Sequence, residues 1–220
     1  MTLQMPDLAF ATILPEGIVL TTALVILLMD LFAKQIERVN ITLTGLVGLG
    51  LAFIATQSLA GTSEYGFSGM ILRNDLSLFF DQLFIVGLAL VLLLSQDYAR
   101  RHRLPYGEYV VLLFFATLGM MVISISADLI ILFIGVELLS LSLFVLCGIQ
   151  KQSLLSGEAA LKYFILGAFS TGFFVYGLAF VFGIFRTTNL VTIGIAAAEG
   201  SEPFPLLVLG FALILIGLGF

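Results

Sequence analysis

Hydrophobic positions along this chain fall into long continuous runs rather than alternating with polar ones. Seven windows stand out, roughly 13–33, 39–60, 76–95, 108–125, 128–149, 157–184 and 204–220. A helix needs about 20 mostly apolar residues to cross the hydrocarbon of a bilayer. Backbone groups in lipid must also be satisfied within the segment, which makes helices the default. Membrane β-strands would instead show alternation over about ten residues. The pattern therefore predicts an all-α, polytopic transmembrane helix bundle with about seven spans. The connection from Thr187 to Pro205, rich in small residues, has room for a short amphipathic stretch.

Polar positions near the window edges agree with helix ends. Pro15 and Glu16 suit a first turn, because proline lacks an amide that would be orphaned and an acid meets the positive end of the dipole. Ser156 with Glu158 repeats the signal before the sixth window, and Glu158 precedes Lys162 in the favourable order for a helical pair. Lys34, Arg38, Arg100, Arg101, Arg103 and Lys151 follow the first, third and fifth windows, six residues against Arg73 and Arg186 on the other side. Basic connections mark the inner face. This bias predicts an N-terminus outside, on the periplasmic side of a bacterial inner membrane, with a thylakoid or organelle inner membrane as the alternative.

Composition narrows the function classes. The chain is 60% hydrophobic and 10% charged, with a mean hydropathy of +1.19, outside the range of soluble domains. Its net charge of -5 is scattered through the connections, so no nucleic-acid footprint is present. The opening "MTLQMPDLAFATILPEG" has an acid and no base before its first apolar run, unlike a secretory signal, and is read as leading into a retained span. One cysteine, Cys147, excludes a disulfide framework and is expected to be a small buried apolar residue. A single histidine, His102, lies between Arg101 and Arg103 and reads as a solvated loop residue; the count excludes a bis-histidine haem.

Two ionisable residues lie deep within windows. Glu137, in "FIGVELLSL", sits about 13 Å into the fifth span at 1.5 Å per residue. A charge near the bilayer centre costs about 2.5 to 3.5 kcal/mol on insertion scales, so such residues face a protein interior or a water path. The alternative is a protonated carboxyl hydrogen-bonded in a helix contact. Lys162, about 8 to 9 Å into the sixth span, either exchanges protons or snorkels to the interface beside Glu158. A direct bond between them is not expected, since Glu137 lies about 10 Å further from the turn joining their helices. Waters or a group from another helix would have to bridge the gap. Asp30, Asp81 and Asp128, near window ends, are read as solvated or helix-terminal. Glycines in "GLVGLG" and "LIGLGF" are read as allowing close helix approach.

The stretch "GVELLSLSLFVLCGIQKQSLLSGEAALKYFILGAFSTGFFVYGLAFVFG", together with "TILPEGIV", resembles the antiporter-like membrane subunit N (subunit 2) of respiratory complex I, or NADH-quinone oxidoreductase, and its photosynthetic relatives. The glutamate of "VELLSL", followed 25 positions later by the lysine of "EAALKYF", carries the likeness. The resemblance implies about fourteen helices with inverted repeats, of which this chain would cover the first part. Residues 1–106 would hold N-terminal helices 1–3, and 107–220 the start of the antiporter-like repeat, helices 4–6 and the beginning of a broken helix 7. It also implies a lysine directly after Phe220 as the partner of Glu137, and hence a fragment of a longer chain.

On that resemblance, Glu137 and Lys162 are the expected proton-transfer residues, with no metal and no cofactor in this chain. NADH, FMN, iron-sulfur clusters and quinone are expected in partner subunits. Neighbouring antiporter-like subunits, small membrane subunits and the lipid bilayer are the expected partners. The alternatives are a subunit of a cation/proton antiporter or of a membrane-bound hydrogenase, and a purely structural assembly subunit.

Overall fold

The apolar windows fold as helices in a computed structural model, which describes residues 9–32, 38–199 and 204–219. A 3-10 turn, Phe10–Ile13, leads into α1 (Leu14–Phe32), followed by α2 (Arg38–Ser58), α3 (Asp75–Arg101), α4 (Tyr106–Ser124), α5 (Leu129–Cys147) and α6 (Leu154–Phe185). The short helix α7 (Leu190–Glu199) occupies the long connection before α8 (Phe204–Gly219). Among the described residues, 6 helices are long and apolar enough to cross a membrane. The seventh window folds as α8, of which 16 residues are described.

Local chemistry sets several of these ends. Asn74 caps α3 through a reciprocal pair with Ser77: the Ser77 amide donates to Asn74 Oδ1 at 2.9 Å, and the Asn74 amide donates to Ser77 Oγ at 3.1 Å. Arg100 and Arg101 occupy the last turn of α3, where cations meet the negative end of the helix. Asp128 caps α5, accepting from the Ile130 amide at 2.8 Å. The sixth helix begins earlier than its Ser156 signal suggested. Ser153 is its N-cap, accepting from the Ser156 amide at 3.3 Å, while the Ser156 hydroxyl donates to the Cys147 carbonyl at 2.6 Å.

Packing forms two apolar cores. Val19, Ile26, Leu49, Leu92, Phe114 and Met121 anchor the first, among α1 to α4. Leu129, Phe174, Val181, Ile193 and Ile214 anchor the second, among α5 to α8. Glycine makes the closest crossings. A Cβ at Gly119 on α4 would stand 2.7 Å from the Leu139 amide nitrogen of α5, and one at Gly177 on α6 would stand 2.6 Å from the Gly210 carbonyl of α8. Cys147, expected inside, is exposed at the end of α5. Its helix turn packs through the backbone, held by Ser156, rather than through the thiol.

At one end of the bundle, extended segments tie the two halves together. An antiparallel hairpin pairs β1 (Glu64–Gly66) with β2 (Ile71–Arg73). The Leu72 amide donates to the Ile125 carbonyl at 2.9 Å and the Ala127 amide to the Met70 carbonyl at 3.0 Å. Beyond them, the Leu190 amide donates to the Ala127 carbonyl and the Leu129 amide to the Thr188 carbonyl, each at 2.9 Å. Asn189 completes the layer by donating from Nδ2 to the Gly69 carbonyl at 3.0 Å.

Candidate functional site

Glu137 projects from α5, eight residues beyond its first residue and so about 12 Å along the axis. It is half-buried. The Thr171 hydroxyl of α6 donates to Glu137 Oε1 at 2.6 Å. Around this bond lies a cavity of about 230 Å³ lined by residues of α5, α6 and α8, including Phe133, Ser140, Tyr163, Ser170 and Gly217. That volume exceeds what a single water needs several times over. The Ser170 hydroxyl donates to the Gly217 carbonyl at 2.5 Å, joining α6 to α8. The end of α8 thus closes one side of the cavity.

Lys162 is placed elsewhere. Its Nζ lies 2.5 Å from Glu158 Oε1, an i,i+4 pair on α6 with the lysine side chain 71% exposed. Nine residues separate it from Thr171, about 13 Å along the helix, so the structure does not bring Glu137 and Lys162 together. A hydroxyl, rather than an amine, meets the carboxylate.

A second group of ionisable residues lies where the hairpin meets the helices. Arg73 of β2 donates from Nη2 to both carboxylate oxygens of Glu16 at 2.7 Å and from Nη1 to Asp81 Oδ2 at 2.5 Å. Its Nε also donates to the Thr12 carbonyl at 2.8 Å. Asp81 Oδ1 accepts from the Ser124 hydroxyl of α4 at 2.9 Å. Side-chain exposures are 1% for Arg73, 6% for Glu16 and 0% for Asp81. Burial alone would lower the Arg73 pKa, but Glu16 and then Asp81, through charge and hydrogen bonds, outweigh it and hold the guanidinium above its ordinary value.

Asp81 therefore corrects the sequence reading of a solvated or helix-terminal acid. The hairpin carries Arg73 inward, where its charge makes burial of the acid tolerable. Asp128 is helix-terminal, and its Oδ2 also accepts from the Thr188 hydroxyl at 2.6 Å. Asp30 is exposed. His102 is exposed as well, with Nδ1 2.9 Å from the Tyr98 carbonyl. No group of three or more potential metal ligands occurs among the described residues. One sequence signal bore on the missed cluster: Glu16, Arg73 and Asp81 all fall near the starts of the first and third spans, which lie at the same end of the bundle.

The family model described as NADH:quinone oxidoreductase/Mrp antiporter, TM, matches residues 126–220. NADH-quinone oxidoreductase subunit N from Anoxybacillus flavithermus is 38% identical, covering 96% of this chain and 43% of its own length. The subunit from Chloroflexus aggregans is 37% identical, covering 100% and 46%, and that from Trichlorobacter lovleyi is 34% identical, covering 93% and 42%. The chain thus spans somewhat under half the length of these relatives. A chain of respiratory complex I from Thermus thermophilus with bound aureothin superposes with a TM-score of 0.76 at 25% identity, over 94% of this chain and 43% of that one. A chain of the archaeal membrane-bound sulfane sulfur reductase superposes with a TM-score of 0.78 at 22% identity, over 94% and 44%, and shares the fold.

Proposed function

Starting from a chain that belongs to the antiporter-like subunit N family of NADH-quinone oxidoreductases, we propose a membrane subunit that moves protons while partner subunits perform the redox chemistry. The observation that carries this reading is Glu137, an acid deep in a span, hydrogen-bonded to Thr171 beside a cavity large enough for water. An intramembrane carboxyl with a polar partner and a hydratable path can exchange protons, whereas the same acid sealed in an apolar contact cannot.

In this reading Glu137 is the proton-exchanging acid and Thr171 holds its carboxylate. A cation from another helix supplies the charge that Lys162 is too distant to supply. Proximity of a carboxylate favours the charged form of an amine, and separation in a poorly solvated site favours its neutral form. The pair thereby loads and releases a proton as it closes and opens. Lys162, with Glu158, relays protons between the cavity and the basic end of the bundle.

The membrane-spanning character follows from the helices. The proposed orientation places the N-terminus outside and the basic connections inside, with residues 1–106 flanking the antiporter-like unit that begins at 107. Neighbouring membrane subunits of the same oxidoreductase are the proposed partners. NADH, FMN, iron-sulfur clusters and quinone belong to those partners in this scheme.

Glu137→Gln in the assembled oxidoreductase tests the proposal. The expected result is an intact complex with fewer protons moved per electron pair. An unchanged proton-to-electron ratio in a fully assembled complex would overturn it. Loss of assembly itself would favour a structural role for the acid.

A further inference from the structure

The buried cluster at the hairpin end holds two acids and one base, and among the described residues no other cation reaches it. Arg73 contributes one positive charge; Glu16 and Asp81 would contribute two negative ones if both were ionised. α1 supplies Glu16, α3 supplies Asp81, and the 3-10 turn before α1 supplies only the Thr12 carbonyl. α4 supplies the Ser124 hydroxyl, and β2 supplies Arg73 itself. Glu64, opposite Arg73 in the hairpin register, is exposed, as is Asp75, whose Oδ1 accepts from the Gly61 amide at 2.9 Å. Arg186, the other described cation at this end, is exposed.

An unbalanced charge enclosed in low dielectric is strongly disfavoured, and two carboxylates on one site avoid it by sharing a proton. The hydrogen bonds bring both acids onto one base. One guanidinium engages both acids, so the acids converge on a single group. We propose that Glu16, Asp81 and Arg73 form a proton-binding site in which one of the two carboxyl groups holds a proton at neutral pH. The site is separate from Glu137 and stands whether or not Glu137 moves protons. With one proton bound, the cluster is neutral and fits its dry surroundings. Without it, the cluster carries a net negative charge where water does not reach.

Infrared spectroscopy of the assembled complex, comparing the wild type with Glu16→Gln and Asp81→Asn at neutral pH, tests this site. An amide mimics a protonated acid, so both variants should assemble. Either change leaves one acid to balance Arg73 and removes the need for the proton. Each variant should therefore lack one protonated-carboxyl carbonyl band that the wild type shows, a band that shifts in heavy water. Both should lose the same single band. Persistence of that band in an assembled variant, its absence from the wild type, or failure of both variants to assemble would overturn the proposal. If only one variant assembles, its band decides.

Discussion

Thr171 Oγ1 stands 2.6 Å from Glu137 Oε1, so α6 holds the acid of α5 through a donor that carries no charge of its own. A hydrogen bond to an ionised group contributes about 1.5 to 3 kcal/mol. Removing it should leave the Glu137 carboxyl without its partner on α6, free to turn within the cavity. Thr171→Val should therefore lower the protons moved per electron pair in an assembled complex. Thr171→Ser, which keeps the hydroxyl, should restore them. Equal coupling in the two variants would remove Thr171 from the pathway.

Arg73 faces a different test, because its charge supports the burial of two acids. Removing one partner of a buried ion pair costs about 3 to 5 kcal/mol. Arg73→Met should lower the unfolding temperature of the complex or prevent its assembly. Arg186→Met, at an exposed position at the same end of the bundle, should change stability by no more than about 0.5 kcal/mol. Thermal unfolding of the two variants side by side gives the comparison.

Helix crossings provide a third measurement. At Gly119 and Gly177 the neighbouring backbone stands where a Cβ would be placed. Gly119→Leu and Gly177→Leu should each cost at least the roughly 1 to 3 kcal/mol typical of overpacking, because a backbone yields less readily than a side chain. Gly172 has no atom within 4 Å of its would-be Cβ. Gly172→Ala should be neutral or stabilising by about 0.5 to 1 kcal/mol, through helix propensity. Extraction yield and unfolding temperature should place Gly172→Ala above both leucine variants.

Lys162 separates stability from transport. Its pair with Glu158 is exposed, and exposed pairs contribute about 0 to 1 kcal/mol. Lys162→Ala should leave assembly and unfolding temperature close to wild type. If the lysine relays protons, the same variant should slow proton movement, and Lys162→Arg, which holds its proton too firmly to release it, should slow it too. A wild-type transport rate in both would leave Lys162 as an interfacial anchor.

Long apolar runs made the helices legible, because a spanning helix must satisfy both length and backbone bonding within one segment. Windows one to six match α1 to α6 to within several residues at their ends. Glu137 could be singled out by depth alone. Its hydroxyl partner could not, since threonines are common in spans and only the rotation of α6 decides which one faces the acid. The Arg73 cluster was hidden for another reason. Strands of three residues carry no hydrophobic period, so the hairpin read as a connection between spans and Arg73 only as one of its charges. Ser153 and Ser156 show the limit at helix starts: both are good caps by type, and the bond from Ser156 to Cys147 decides between them.

The layer of extended backbone joining 70–72, 125–129 and 188–190 restricts how this bundle can flex. Helix ends stitched together by main-chain bonds cannot separate without breaking several at once. At the far end, the turns at 102–105 and 148–153 have no comparable lacing among the described residues. Any tilting that widens the space beside Glu137 is therefore pivoted at the laced rim and has its greatest sweep at the arginine-rich one.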